Sequence, residues 1–418
     1  MRTWTAPALP ELPSRGSAPR LFNTATGRLE HPAIESERAT LYVCGITPYD
    51  ATHLGHAATY LAFDTLLRAW RDAGIATVYA QNITDIDDPL LERANATGVD
   101  WRGPPPARNA PLRSDMHRLG MLPPDRYVAV TERIDEIAEA VHRLRARGLA
   151  YAVPTEGAAG DDVYFDTEAA ERETQWRLGD VAPYDRQLME LLSAERGGDP
   201  DRPGKRDPLD PLLWRAARPG EPSWESVVGE GRPGWHIECA VIAVAELGDA
   251  FTVQGGGADL VFPHHEFTAA HATALSGTPL AHAYCHVGLI SYDGHKMSKS
   301  RGNLVLVSRL LDGDHGPAAE PSAIRLGLLA HHYRSEWEWF DADLQTAQRR
   351  LEAWRAGIRR DAEEPANALA VLQQLRQSLA NDLDTPVMLA TLDAALDQGV
   401  DDPGLIADAV GALLGVEL

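Results

Sequence analysis

Cysteine is scarce, with three residues in a chain of 418. An odd, widely spaced set argues against a disulfide framework and fits a reducing compartment, where thiols stay free to bind metal. Long hydrophobic runs are missing too. No stretch approaches the ~20 apolar residues that a membrane-spanning helix needs. Residues 1–20 carry Pro and Arg but no apolar core of a secretory signal. Basic residues are outnumbered: 39 Lys and Arg against 61 Asp and Glu leave a net charge of -22. A protein that wraps nucleic acid usually shows a basic face. The acidic excess therefore argues against a polyanionic partner and suits a small cationic one. The expectation is a cytoplasmic protein with neither a membrane nor a nucleic-acid partner.

What is present is length and order. A chain of this size supports two or three domains with substantial cores. Leu41-Tyr42-Val43-Cys44-Gly45-Ile46 reads as a buried parallel strand. Apolar residues recur at helical spacing over 54–70, and Gly74 closes that segment. A second strand is predicted over 75–83. Asp85, Asp87 and Asp88 then open a helix, since carboxylates favour its positive end. Strand, helix, strand, helix begins a doubly wound α/β domain. The Trp101-Arg102-Gly103-Pro104-Pro105-Pro106 stretch marks a linker. An amphipathic helix over 131–147 and strands over 149–153 and 162–165 belong to an insertion. Later elements are a helix over 235–247, a strand over 251–254, a helix over 263–276 and a strand over 284–290. Cys285 is assigned to the core. The expected organisation is a Rossmann-like catalytic domain in two halves, 1–100 and 231–310, with a connective α/β insertion over 101–230. A stem-contact region (311–345) and a C-terminal helical domain (346–418) complete it.

Two motifs far apart carry phosphate chemistry. His53-Leu54-Gly55-His56 follows the first strand, and Lys296-Met297-Ser298-Lys299-Ser300 lies late in the chain. Activating a carboxylate on ATP builds negative charge on the α-phosphate, and catalysis is then mainly positioning and electrostatics. His53 and His56 can donate to phosphate oxygens, and the helix starting there adds backbone donors. Lys296 and Lys299 can swing over the β- and γ-phosphates. Alone, each motif would read as a solvated loop; their joint occurrence and the preceding strand favour nucleotide binding. Cys44, Cys239 and His264 are a second constellation. Two thiolates and one imidazole make a three-ligand zinc site with an open fourth position that a substrate thiolate can fill. From spacing alone, buried unpaired cysteines are the better reading, by roughly four to one.

The opening motif, together with Asn82-Ile83-Thr84-Asp85-Ile86-Asp87-Asp88, Gly234-Trp235-His236-Ile237-Glu238-Cys239, Gly255-Gly256-Gly257-Ala258-Asp259-Leu260, Phe262-Pro263-His264-His265-Glu266, Lys296 to Ser300 and Asn381-Asp382-Leu383-Asp384-Thr385-Pro386, closely resembles cysteinyl-tRNA synthetases of class I. The likeness covers about residues 20–390. Thr268 stands where those synthetases have a fourth zinc ligand, a Glu. Ile46-Thr47-Pro48-Tyr49 replaces Pro-Thr-Val-Tyr, the helical tail is short, and Glu195-Arg196-Gly197-Gly198-Asp199-Pro200 is an additional loop. In these respects the chain resembles the cysteine ligases of mycothiol biosynthesis, which couple L-cysteine to the amine of glucosaminyl-inositol with ATP. That resemblance implies Zn²⁺ on Cys44, Cys239 and His264, and Mg²⁺ with ATP. It implies a cysteinyl-adenylate pocket of Cys44, Gly45, Ile46, Thr47, Thr59, Asn82, Ile83, Thr84, Trp235, Gly257, Ala258, Asp259 and Ile290. His53, His56, Lys296, Lys299 and Thr47 would be catalytic. The expected partners are L-cysteine, ATP and glucosaminyl-inositol, acting on a monomer. Cysteinyl-tRNA synthetase and an inactive nucleotide-binding paralogue are the competing readings.

Overall fold

The computed structural model describes residues 1, 3–46, 52–86, 110–298, 301–314 and 317–418. Thr47 and Lys299 lie outside the described residues, as do Asp87, Asp88 and the Pro-rich 101–106 stretch. The chain opens with an antiparallel hairpin, β1 (Leu21–Asn23) and β2 (Arg28–Glu30). β3 (Arg38–Val43), α1 (Leu54–Asp72), β4 (Ala76–Ile83), α2 (Ala110–Arg118) and β5 (Arg126–Ala129) follow, then α3 (Ile134–Ala146). Next come β6 (Ala150–Val153), β7 (Asp162–Phe165), α4 (Thr167–Glu173), α5 (Arg186–Glu195), β8 (Leu212–Ala216) and β9 (Gly231–Pro233). The strand–helix alternation resumes with α6 (Trp235–Leu247), β10 (Phe251–Gly257), α7 (Glu266–Ser276) and β11 (Ala281–Val287). β12 (Ile290–Tyr292), β13 (His295–Lys296), α8 (Val307–Asp312), α9 (Pro321–Leu329) and β14 (Trp337–Glu338) lead to four closing helices. These are α10 (Asp341–Gly357), α11 (Ala368–Ala380), α12 (Thr385–Gln398) and α13 (Pro403–Leu414).

The central sheet is parallel throughout, in the order β11-β10-β3-β4-β5. From β3 the chain winds one way through β4 to β5, and its second half winds the other way through β10 to β11. The reversal falls between β3 and β10, where open α/β sheets bind their ligands. Cys44 stands at the end of β3 beside that crevice, its amide bonded to the Gly255 carbonyl at 3.3 Å. β6 to β9 form a separate antiparallel sheet.

Some expected elements are redrawn. Asp85 opens no helix at its own position. It is buried, and its carboxylate accepts from the Thr131 amide (3.1 Å) and hydroxyl (2.6 Å), tying β4 to the turn after β5. The strand placed at 251–254 runs on to Gly257, because the three glycines pair in register with Cys285, His286 and Val287. The strand placed at 284–290 is two strands, broken at Gly288, whose amide turns to the Tyr333 carbonyl. The helix placed at 263–276 begins at Glu266, after a wide turn over Val261–His265. Cys285 is core, 2% exposed.

A buried charged hub joins the closing helices to the catalytic sheet. Asp64 on α1 accepts from Arg68 Nε at 2.8 Å, Arg325 Nη2 at 2.5 Å and the Leu122 amide at 2.8 Å. Arg325 also donates to the Leu414 and Leu119 carbonyls, and Arg68 to those of Gly411, Ala412 and Gly120. Cations belong at a helix C-terminus, and both guanidinium groups sit at the end of α13. Burial opposes ionisation of Asp64, but Arg68 and Arg325 hold its carboxyl below the usual range. The tail motif is structural as well: Asp382 accepts from the Phe22 amide, the Tyr333 hydroxyl and Arg334 Nε.

Candidate active site

The floor of the crevice is made by two strand ends. The Gly45 amide donates to Asn82 Oδ1 at 2.8 Å, and Asn82 Nδ2 donates to Thr84 Oγ1 at 3.2 Å. A side chain at Gly45 would fall on the Asn82 carbonyl oxygen, so only glycine permits this approach of β3 to β4. Ile83 is buried beside Asn82, and Ile46 is half-buried.

The first phosphate motif is a helix cap. His53 Nδ1 accepts from the amides of Gly55 (3.1 Å) and His56 (3.4 Å), closing the start of α1. The neutral ring then carries its proton on Nε2, which is left to donate outward. Burial pulls the His53 pKa down to about 4, with Asp259 opposing and Lys296 adding to the fall. Burial also holds His56 well below its usual value, helped by His53 and Lys296. The two rings lie 3.6 Å apart. At neutral pH both are N–H donors without charge, so the fixed positive charge among the described motif residues comes from Lys296. Its ammonium contacts Asp259 Oδ2 at 2.9 Å. Thr59 donates to the Gly55 carbonyl at 3.1 Å and faces Gly257 across the crevice.

Backbone bonds sew the two distant motifs together. The Leu54 amide donates to the Val305 carbonyl, and the Val307 amide to that of Thr52. Asn303 pins the intervening hairpin, accepting from the Ser298 amide and donating to the Tyr292 carbonyl. Nothing in the sequence singled out Asn303. Ile290 is buried on β12, paired with Trp337 of β14.

Cys44, Cys239 and His264 meet although they are distant in sequence. Their ligand atoms all lie within 4.8 Å of one another, and all three residues are buried. The two sulfurs are 3.9 Å apart. Thiolates ~2.3 Å from a tetrahedral zinc stand ~3.8 Å from each other, so this spacing fits the ion. His264 Nε2 is buried without a protein hydrogen-bond partner, while its Nδ1 lies 3.0 Å from His236 Nδ1. Trp235 stacks on the His264 ring at 4.3 Å and stays 37% exposed. Thr268 does not join the donor set. Its hydroxyl donates to the His264 carbonyl at 2.6 Å, and three protein donors remain.

A second layer, which the motifs did not reveal, supports the sulfurs. His265 Nε2 and Gln254 Nε2 lie 3.3 and 3.4 Å from Cys44 Sγ. His265 Nδ1 meets His286 Nε2 at 2.7 Å, and His286 Nδ1 meets Thr24 Oγ1 at 2.7 Å. If Thr24 donates, the whole chain is polarised toward Cys44, the arrangement that orients a metal-bound group. A hydrogen bond from Cys44 lowers the Cys239 thiol well below its ordinary range, and burial raises that of Cys44. One thiol therefore loses its proton readily, as metal binding requires.

This sheet order and strand-end crevice define a class I synthetase fold. Two solved structures share it: methionyl-tRNA synthetase of Mycobacterium tuberculosis with methionyl-adenylate (TM-score 0.59, 16% identity, 90% of this chain and 88% of that one), and a putative arginyl-tRNA synthetase of Campylobacter jejuni (0.54, 13%, 91% and 93%). The family described as tRNA synthetases class I (C) catalytic domain matches residues 30–349. Proteins named L-cysteine:1D-myo-inositol 2-amino-2-deoxy-alpha-D-glucopyranoside ligase are similar over the whole chain. Those of Micrococcus luteus and Kineococcus radiotolerans are 54% identical and that of Paenarthrobacter aurescens 52%, each covering 100% of both chains. The chain belongs to the class I (C) synthetase catalytic family and, within it, to the family of these ligases. Among the described residues, no helix is long and apolar enough to cross a membrane.

Proposed function

We propose that this chain, acting as a monomer in the cytoplasm, joins L-cysteine to the amine of glucosaminyl-inositol at the expense of ATP, through a cysteinyl-adenylate. The observation that carries this reading is the convergence of Cys44, Cys239 and His264 on the same strand-end crevice as His53, His56 and Lys296. A zinc ion held by the first three residues would offer an open position to a substrate thiolate, which a serine hydroxyl fills poorly. Trp235 walls that pocket. In the first step the cysteine carboxylate attacks the α-phosphate and pyrophosphate leaves, with Mg²⁺ accompanying the phosphates. His53 Nε2–H and His56 stabilise the charge that builds, from a preorganised helix start. Lys296 exchanges Asp259 for the phosphates, which frees Asp259 to accept from the ribose. Gly45, Asn82 and Thr84 hold the acyl end, Gly257, Ala258 and Thr59 line the nucleotide side, and Ile46, Ile83 and Ile290 back the pocket. Thr47 and Lys299 complete the catalytic set. In the second step the neutral sugar amine attacks the acyl carbonyl, giving the amide and AMP.

Two measurements test this. Purified protein should show cysteine-dependent exchange of pyrophosphate into ATP, and should form the amide when glucosaminyl-inositol is added. Exchange followed by acylation of tRNA instead would overturn the acceptor. An absence of exchange with zinc present would leave nucleotide binding alone.

A further inference from the structure

The inserted segment reaches the nucleotide side of the crevice through Arg196, a residue of the additional 195–200 loop to which the sequence assigned no role. Arg196 follows α5 directly and caps its last turn, its own amide bonded to the carbonyls of Leu192 and Ser193. The next two residues are glycines for physical reasons. Gly197 has φ +88°, and a side chain on Gly198 would collide with Ser193. This turn aims the half-buried guanidinium across to the catalytic half. There Nη1 donates to the Asp259 carbonyl at 2.6 Å and also to the Phe262 carbonyl. The side chain of the same Asp259 takes Lys296. A separate contact holds the far end of this stretch: Glu266 accepts from Trp176 Nε1 and from the amides of Gly179, Val181 and Ala182. The turn between β10 and α7 is thus gripped by the insertion at both ends.

We infer that Arg196 is a positioning residue for the nucleotide. It fixes the Asp259 backbone, so that the carboxylate points at the ribose side of the crevice and within reach of Lys296. This rests on the proposed adenylate chemistry and adds a residue to it. The carbonyls of Asp259 and Phe262 precede His264, but His264 is also held through Thr268, and Glu266 anchors the chain just beyond it. Loss of Arg196 should therefore loosen the nucleotide side and spare the metal side. Displacing a reacting group by a fraction of an ångström is enough to cost tenfold or more in rate, on the order of the effects seen for remote positioning residues.

The test compares wild type with Arg196→Met and Arg196→Lys in cysteine-dependent pyrophosphate exchange. Equilibrium binding of a non-hydrolysable ATP analogue and zinc content are measured alongside. The expected result for Arg196→Met is a KM for ATP and an analogue Kd raised about tenfold. The KM for cysteine should move less than about twofold, and zinc should stay at one per chain. Lysine, which can reach one carbonyl, should recover part of the loss. Unchanged ATP parameters in a folded Arg196→Met protein would overturn the inference, and so would a parallel loss of zinc and of cysteine affinity. A wild-type protein without exchange activity would instead overturn the functional reading. The analogue-binding arm still decides for or against Arg196 in that case.

Discussion

Two buried polar clusters in this protein are built in opposite ways. The Asp64–Arg68–Arg325 hub is saturated: each carboxylate oxygen has a donor, and the guanidinium groups find backbone carbonyls from two segments, 119–120 and 411–414. The Cys44–Cys239–His264 pocket is incomplete. His264 Nε2 and Gln254 Oε1 are buried there without a protein partner, as is His56 Nδ1 on the nucleotide side. Buried polar groups are almost always satisfied, so a concentration of orphans marks where something else binds. The saturated cluster holds the fold together, and the unsaturated one is reserved for chemistry.

The comparison can be broken from either side. Arg325→Met should cause the largest loss, because removing one partner of a buried pair strands the other charge at a cost of ~3–5 kcal/mol. Urea unfolding would show it, and a loss under ~1 kcal/mol would mean that the hub is no staple. Cys239→Ser should lose its metal and at least ~100-fold of cysteine-dependent exchange, together with its discrimination against serine. Its unfolding midpoint should fall less than that of Arg325→Met; the reverse order would merge the two clusters into one structural role. Thr24→Val removes the far end of the hydrogen-bonded chain to Cys44. Metal affinity should drop about tenfold in a chelator competition, while the hub keeps its stability. An unchanged affinity would confine the support of Cys44 to its immediate neighbours.

The last effect is one of pH. The His53 pKa is depressed to about 4 by burial, so the unfolded chain binds this proton first. The associated stability is fully present above the unfolded value of ~6.5 and is lost as pH falls toward the folded one. His53→Asn keeps a capping oxygen and should flatten the pH dependence between those limits by at most ~1.4 kcal/mol per pH unit. A slope equal to wild type would assign the pH dependence to the other buried histidines.

Much of this was legible in the sequence because it is local. The run ending at Cys44, the helix opening at His53 and the α/β alternation are set by neighbouring residues and by periodicity. Even the departure at Thr268 could be noted from its position, although its bond to the His264 carbonyl could not. What stayed hidden relies on backbone groups remote in sequence. Arg196 seeks the carbonyls of Asp259 and Phe262, Arg325 those of Leu119 and Leu414, and Asp85 the amide of Thr131. Main-chain atoms carry no residue identity, so no motif records such a pairing. The relay from Thr24 through His286 to His265 was equally silent, since its members lie in three stretches of chain that only the fold brings together.

Because two guanidinium groups are fastened to the last carbonyls of α13, the final helix acts as a plug for the catalytic half rather than as an appendage. A chain trimmed before Gly411 would keep every residue of the crevice. It would still take from Arg68 and Arg325 the α13 carbonyls they donate to, and the damage would be felt at α1, whose first turn presents the two histidines to the phosphates.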